Sequence, residues 1–154
     1  MKHQVPTVLL IDDDPADQFL VQEAMKVANF DHNLRQVSDG DEALDYLFGR
    51  GRNADRLKAP RPDLILLDLN MPRFDGRQVA RTLKTHPFLK NIPIVVLTSS
   101  SREEDVDELY EMGVNSYMQK PANFDEFTAA LRALASYWLE RASLPSSALE
   151  REPR

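Results

Sequence analysis

The chain has no cysteine, so disulfides, thiolate metal sites and cysteine nucleophiles are excluded by composition, and packing alone must hold the fold. Positive charge is in deficit, with 19 Lys and Arg against 25 Asp and Glu and a formal net charge of −6. That balance argues against nucleic acid and against an anionic membrane surface, both of which need a surplus of cations on one face. Long apolar runs are also lacking. The N-terminal MKHQVPTVLLIDDD has one short run that breaks into three aspartates, which is neither a secretion signal nor a membrane span; the cytoplasm is the default expectation. No internal repeat or low-complexity tract is evident. What remains is 154 residues, 42% hydrophobic and 29% charged, which fits one ordinary domain.

Short apolar runs alternate with longer stretches of helical spacing, the rhythm of an α/β domain on a parallel sheet. Val8–Ile11, Leu64–Leu67 and Ile92–Leu97 read as strands covered on both faces; Leu34–Val37 and Ser116–Gln119 read as weaker ones. Helices are expected from Pro15, favoured at a first helical position, after Asp39-Gly40, after Asp75-Gly76 until His86-Pro87, over Arg102–Met112, and from Asn123. In the last, Phe127, Ala130, Leu131, Leu134, Trp138 and Leu139 keep apolar spacing to about Ala142. Residues 50–61, with four arginines, read as a basic surface loop, and 143–154 as a disordered tail.

In an open parallel sheet, ligands sit beyond the carboxyl ends of the strands, where every chemically loud residue lies. Asp12 and Asp13 follow the first strand, Asp68 the third, Thr98 the fourth and Lys120 the fifth. Carboxylates brought within a few ångströms repel one another unless a hard cation sits among them and a lysine helps balance the charge. Oxygen-only ligands favour Mg2+ over Zn2+ or copper, and Mg2+ implies phosphoryl chemistry, with Asp68 best placed to accept the group as an acyl phosphate. Taken singly, Thr98 would be a helix cap, Lys120 a solvated charge and Tyr117 a half-buried aromatic; joint occurrence carries the reading. Asp14 and Asp17 read as first-turn charges of the first helix, and His3, His32 and His86 as surface residues.

These residues resemble the receiver domain of bacterial two-component response regulators over about residues 6–141, through IDDD at 11–14, LLDLNMPRFDG at 66–76, VLTSS at 96–100 and YMQKP at 117–121. The resemblance implies a single flavodoxin-like, doubly wound α/β domain at 1–142, with five parallel strands ordered 2-1-3-4-5, five flanking helices and an extended last helix. It implies Asp68 as phosphoacceptor, Mg2+ held by Asp13, Asp68 and the main-chain carbonyl of Asn70, and Asp12 acting mainly through a metal water. It further implies Thr98 on a phosphoryl oxygen, Lys120 paired with the phosphoryl group, a cis Lys120-Pro121 bond, and Tyr117 as the aromatic that turns inward and remodels the face of helix four, strand five and helix five.

The expected partner is a histidine kinase. The Arg-rich loop and the LKTHPFLKNIPIVVLTSS wording resemble the single-domain subgroup that accompanies phytochrome-type kinases. No recognisable effector follows, so a stand-alone regulator acting by protein contact is expected, catalysing only its own phosphorylation and dephosphorylation. The long last helix suggests a homodimer through that helix or through the helix four, strand five and helix five face. The rivals are a phosphorelay intermediate, a receiver that binds its partner without phosphorylation, and a haloacid-dehalogenase-type phosphatase, in which Asp12 would be the nucleophile and Asp68 idle.

Overall fold

Apolar tetrapeptides that end abruptly in charge become central strands because a parallel sheet buries both of its faces. In the computed structural model, which describes residues 5–26, 31–69, 71, 75–99 and 102–145, strands β1 (Thr7–Ile11), β3 (Leu64–Leu67) and β4 (Ile94–Thr98) are buried at every position. β2 (Asn33–Val37) and β5 (Ser116–Gln119) are the partly exposed edges. All pairings are parallel, and the order is β2-β1-β3-β4-β5, as the resemblance implied.

Side chains alternate across a strand, so each central strand feeds two cores. Leu9, Ile11, Ile65, Leu67, Ile94 and Val96 meet Ala43 and Leu47 of α2 (Gly40–Phe48), Val79 and Leu83 of α3 (Gly76–Thr85), and Leu109 of α4 (Glu103–Met112). Val8, Leu10, Leu64, Leu66, Val95 and Leu97 meet Val21 and Ala24 of α1 (Pro15–Lys26) and Phe127 and Leu131 of α5 (Phe124–Ala135). Local chemistry starts the helices where expected: Asp39 accepts the Glu42 N–H at 2.8 Å and Asn123 the Glu126 N–H at 3.0 Å, each satisfying an orphan donor of a first turn.

The structure corrects the expectations for His86 and for residues 50–61. The extended last helix is present: beyond Ala135 it continues as a π-helical turn, Ser136–Arg141, marked by an i to i+5 bond from the Ala142 N–H to the Tyr137 carbonyl. The wider turn carries Leu134, Trp138 and Leu139 back against the α1 and α5 side of the core, leaving Tyr137 exposed. The apolar stripe therefore finds its cover within the domain, which removes the reason it gave for a second subunit. His86 is half-buried; its Nδ1 accepts the Phe88 and Leu89 N–H groups at 3.1 and 3.2 Å, and its ring lies 5.2 Å from that of Phe48.

The second correction concerns residues 50–61. Arg50 and Arg52 are exposed, in loose pairs with Asp45 and Glu42, but Arg56 donates to the carbonyls of Tyr46, Leu47 and Ala59, and Arg61 is buried and donates to the Phe88 carbonyl. A guanidinium offers several donors in a fixed fork, so Arg56 closes the carbonyl end of α2. Hydrogen bonds to a charged group are worth about 1.5–3 kcal/mol, exposed ion pairs about 0–1. Arg56→Ala is accordingly expected to lower unfolding stability in urea by about 2 kcal/mol and Arg52→Ala by under about 0.5 kcal/mol; equal losses would make the loop a uniform surface feature.

Candidate functional site

The sheet's hydrogen-bond ladder continues one residue past the strands. Asp12 N–H donates to the Val37 carbonyl, Asp68 N–H to that of Ile11 and Lys120 N–H to that of Thr98, at 3.2, 2.9 and 2.7 Å. Since Ile11 is registered with Leu67, and Thr98 with Gln119, register alone places Asp12 beside Asp68 and Lys120 one step beyond β5. Behind Asp68 the chain is clamped: a Cβ on Gly76 would lie 2.4 Å from the Asp68 carbonyl oxygen and 2.8 Å from the Leu69 Cα. Only glycine allows α3 to approach β3 so closely.

Asp12, Asp13 and Asp68 each bring a carboxylate oxygen to within 4.8 Å of the others. Asp12 is almost fully buried; its Oδ1 accepts the Asp14 N–H at 2.9 Å and its Oδ2 the Lys120 ammonium at 3.1 Å. Asp68 Oδ1 lies 3.8 Å from the same ammonium, and the Asp68 side chain lines an open cleft of about 1100 Å³ with Asp13, Asp17 and Lys120. Burial, with a contribution from the nearby Asp68, pushes the Asp12 carboxyl up to about 6 against the opposing pull of the Asp14 amide and Lys120. Burial also opposes the charge on Lys120, but the Asp17 hydrogen bond and the charges of Asp12 and Asp68 outweigh it and hold the ammonium above the ordinary lysine value. Three oxygen donors of like charge around a gap, with no nitrogen or sulfur among them, suit a hard divalent cation.

Of the other residues singled out, Thr98 closes β4 fully buried, and Ser99 rather than Thr98 lines the cleft. Tyr117 is half-buried on β5, packed against the core on the α4 side, with its N–H donating to the Tyr110 hydroxyl at 3.2 Å. Asn70 lies outside the described residues. The Lys120-Pro121 bond is trans, the isomer intrinsically favoured for an X–Pro amide. Asp17 is the residue whose place was misread: it is a first-turn charge of α1, but its Oδ2 accepts a hydrogen bond from the Lys120 ammonium. In the sequence it stands five residues after Asp12, and the one signal available was that a helical turn after Pro15 points position 17 back toward the strand end.

Asp12 sets a pH dependence. Its folded value lies above the ordinary 3.8, so the stability it contributes is complete below about pH 4 and is lost as pH rises through about 6. A divalent cation in the pocket favours the ionised form of the neighbouring Asp12 whether or not it is a direct ligand, so affinity for Mg2+ or Mn2+ is expected to fall by up to about tenfold per unit below pH 6 and to level off above it. Titrations giving a flat profile from pH 5 to 8 would show that Asp12 is ionised throughout. Gly76→Ala is expected to lose about 2–3 kcal/mol of unfolding stability, the cost of forcing a methyl group into filled space, and to shift the Asp68 amide resonance.

The response regulator receiver domain family matches residues 8–132. Over 140 residues the chain is 43% identical to response regulator Rcp1 of Synechocystis sp., a match covering 91% of this chain and 93% of that protein. The crystal structure of the phosphorylated cyanobacterial phytochrome response regulator RcpA superposes with a TM-score of 0.88 at 41% identity, covering 93% of this chain and all of that one. The Mn2+-bound form of Rcp1 superposes at 0.86 with 42% identity, covering 92% of this chain and 99% of that one. With its fold, its strand-end acids and these relatives in agreement, the chain belongs to the response regulator receiver domain family of two-component signalling and is related to phytochrome response regulators.

Proposed function

We propose that Asp68 accepts a phosphoryl group from a phosphohistidine of a sensor kinase whose second ring nitrogen is protonated: a bond forms from a carboxylate oxygen of Asp68 to phosphorus, the N–P bond breaks with its electron pair returning to the imidazolium ring, and neutral histidine, still carrying that proton, and an acyl phosphate result. The observation that carries this is the contrast between the two buried acids. Both oxygens of Asp12 are engaged, by the Asp14 amide and by Lys120, and Asp12 is not among the residues that line the cleft, whereas Asp68 lines it. The same contrast counts against the phosphatase reading, which needs Asp12 as nucleophile.

A divalent cation, which we take to be Mg2+, would be held by Asp13, Asp68 and the Asn70 main-chain carbonyl. Asp12, whose oxygens are already occupied, would act through a metal water. When bound, the cation neutralises charge on the phosphoryl oxygens. Lys120 contributes a second positive charge from the opposite side, already within 3.8 Å of Asp68. The buried Thr98 hydroxyl and the half-buried Tyr117 ring supply the readout: the threonine turns to the phosphoryl oxygens, the aromatic follows inward, and the surface of α4, β5 and α5 changes. The protein thus acts as a switch, with no catalysis beyond its own phosphorylation and dephosphorylation.

The relatives' link to phytochromes supports a phytochrome-type kinase as donor. A cytoplasmic receiver unit over 1–142 completes the reading. Residues 146–154 lie outside the described residues, and among the described ones no helix is long and apolar enough to cross a membrane. With the last helix covered by its own core, a homodimer is better placed on α4, β5 and α5, where Tyr110 is exposed and β5 is an open edge. Sedimentation should show a monomer–dimer equilibrium shifted toward monomer by Tyr110→Glu; a concentration-independent monomer would remove the dimer.

The function itself is tested with acetyl phosphate or a phosphorylated kinase. Asp68→Asn is expected to abolish acid-labile phosphate incorporation while leaving the apo melting temperature unchanged or raised, because one member of a like-charge cluster is removed. Asp12→Asn should retain label at a lower rate. Label that survives Asp68→Asn and is lost in Asp12→Asn would overturn the assignment.

A further inference from the structure

The basic residues of the 50–61 loop form one wall of a second cleft, of about 800 Å³, which runs along β2 and shares no lining residue with the cleft of Asp68. Arg35, Arg50, Arg52 and Lys58 line it against two acids, Glu42 and Asp45, in a chain whose net charge is −6. The acids do not neutralise it. Asp45 and Glu42 meet Arg50 and Arg52 only at 3.6 and 3.5 Å, in exposed pairs that hold weakly, and among the described residues no ion pair joins Arg35 or Lys58 to an acid. The cleft also has an unused main-chain edge, because β2 is an outer strand paired with β1 alone. The Asn33 N–H donates to the Pro6 carbonyl and the Val37 carbonyl accepts the Asp12 N–H. By alternation, residues 33, 35 and 37 spend their main-chain groups on β1, while the N–H and C=O of Leu34 and Gln36 point out of the sheet. Val37 packs on the α2 side of the sheet and Leu34 on the α1 side, so the Arg35 side chain rises on the α2 side with the other cations.

We propose that this cleft takes an extended segment of a partner protein, which adds to β2 as a further strand and carries acidic side chains at alternate positions facing the four cations. Strand addition uses main-chain donors and acceptors together, and the open edge supplies both. A small anion leaves the Leu34 and Gln36 carbonyls unused and is repelled by Glu42 and Asp45. In a strand every second side chain lies on one face, so acids two residues apart meet the cations while the residues between them lie on the side of Leu34. A second copy of this chain fits poorly. Antiparallel pairing of two β2 strands about their middle residue sets Arg35 opposite Arg35, and like charges directly opposite are destabilising. A charge on an edge strand guards against indiscriminate sheet association; here it also selects, rejecting basic edges and admitting an acidic one.

The probe is a capped heptapeptide of alternating threonine and glutamate, titrated into the full chain and followed through the protein's amide resonances. Saturable shifts are expected along β2 and the basic loop, with slowed hydrogen exchange at the Leu34 and Gln36 amides. The same peptide with glutamine in place of glutamate should bind about tenfold more weakly, and Arg35→Gln should weaken the glutamate peptide by a similar factor. Asp45→Asn, which releases Arg50 and removes a competing acid, should tighten it by about twofold to threefold. That sign separates the proposal from a structural effect, since a variant that merely disturbed α2 would weaken binding. Equal affinity for the two peptides overturns the proposal, because charge then plays no part. Binding without slowed exchange at Leu34 and Gln36, or displacement of the peptide by an equal concentration of pyrophosphate, overturns it in favour of a small-anion site. Shifts of the same amides that grow with protein concentration in the absence of peptide assign the edge to a second copy and overturn it too, and no saturable shift at millimolar peptide removes the site altogether.

Discussion

Everything at this site depends on the parallel ladder continuing one residue beyond the strands. The backbone amides of Asp12 and Asp68 are bonded to the last carbonyls of the neighbouring strands, so two side chains that repel one another are placed side by side by a sheet neither can distort. The stabilisation of the sheet is paid for by Leu9, Ile11, Leu66, Leu67 and their neighbours, all essentially buried. The electrostatic strain at its end is small beside that burial, which at roughly 25 cal/mol per Å² of apolar surface amounts to several large side chains' worth of free energy.

The strain is not left uncompensated. Asp12 carries it as a raised carboxyl, buried and beside Asp68, and Lys120 relieves it as a shared cation. One lysine among several acids is a deficit that any positively charged arrival corrects, which gives a divalent ion its affinity. On the function proposed above, an arriving phosphoryl group has the opposite sign and would need such an ion and Lys120 together, so the acids that favour the cation would make the anion dependent on it.

Most of the fold was legible in the sequence because buried parallel strands are continuous apolar runs, and each of the three central ones ends in a polar residue that marks its boundary. Asp12, Asp13, Asp68 and Lys120 were legible for the same reason, as strand-end residues. What was not legible depends on long-range partners. Arg56 and Arg61 look like solvated charge until the carbonyls of α2 and of Phe88 come within reach. Lys84 is similar: its ammonium reaches the Lys90 and Ile92 carbonyls and the Asn115 side chain, and burial lowers its ordinary value. Asp17 reads as a helix-dipole charge because its spacing carries that meaning and says nothing of Lys120, 103 positions away. The π-turn after Ala135 leaves apolar spacing at 134, 138 and 139 that an α-helix would also show.

The route from the pocket to the surface is constrained by a second charge cluster. Arg77, on the first turn of α3, pairs with Asp75 at its cap and with Asp105 and Glu108 of α4. Burial works against its charge, but the Asp105 hydrogen bond and the surrounding acids outweigh it and raise it above the ordinary guanidinium value. Asp105 is itself buried, so separating this pair would strand a charge in a poorly solvated place, a far larger cost than breaking an exposed ion pair. The start of α4 is in this way tied to α3, and α3 in turn is clamped against Asp68 by the contact at Gly76. β5, by contrast, is a partly exposed edge strand, paired on one side alone. A change at Asp68 therefore meets a stiff path through α3 and the start of α4 and a compliant one along β5. Displacement concentrates where restoring forces are weakest, so on the function proposed above the edge strand β5 is where a local change of charge at Asp68 would become a change of surface.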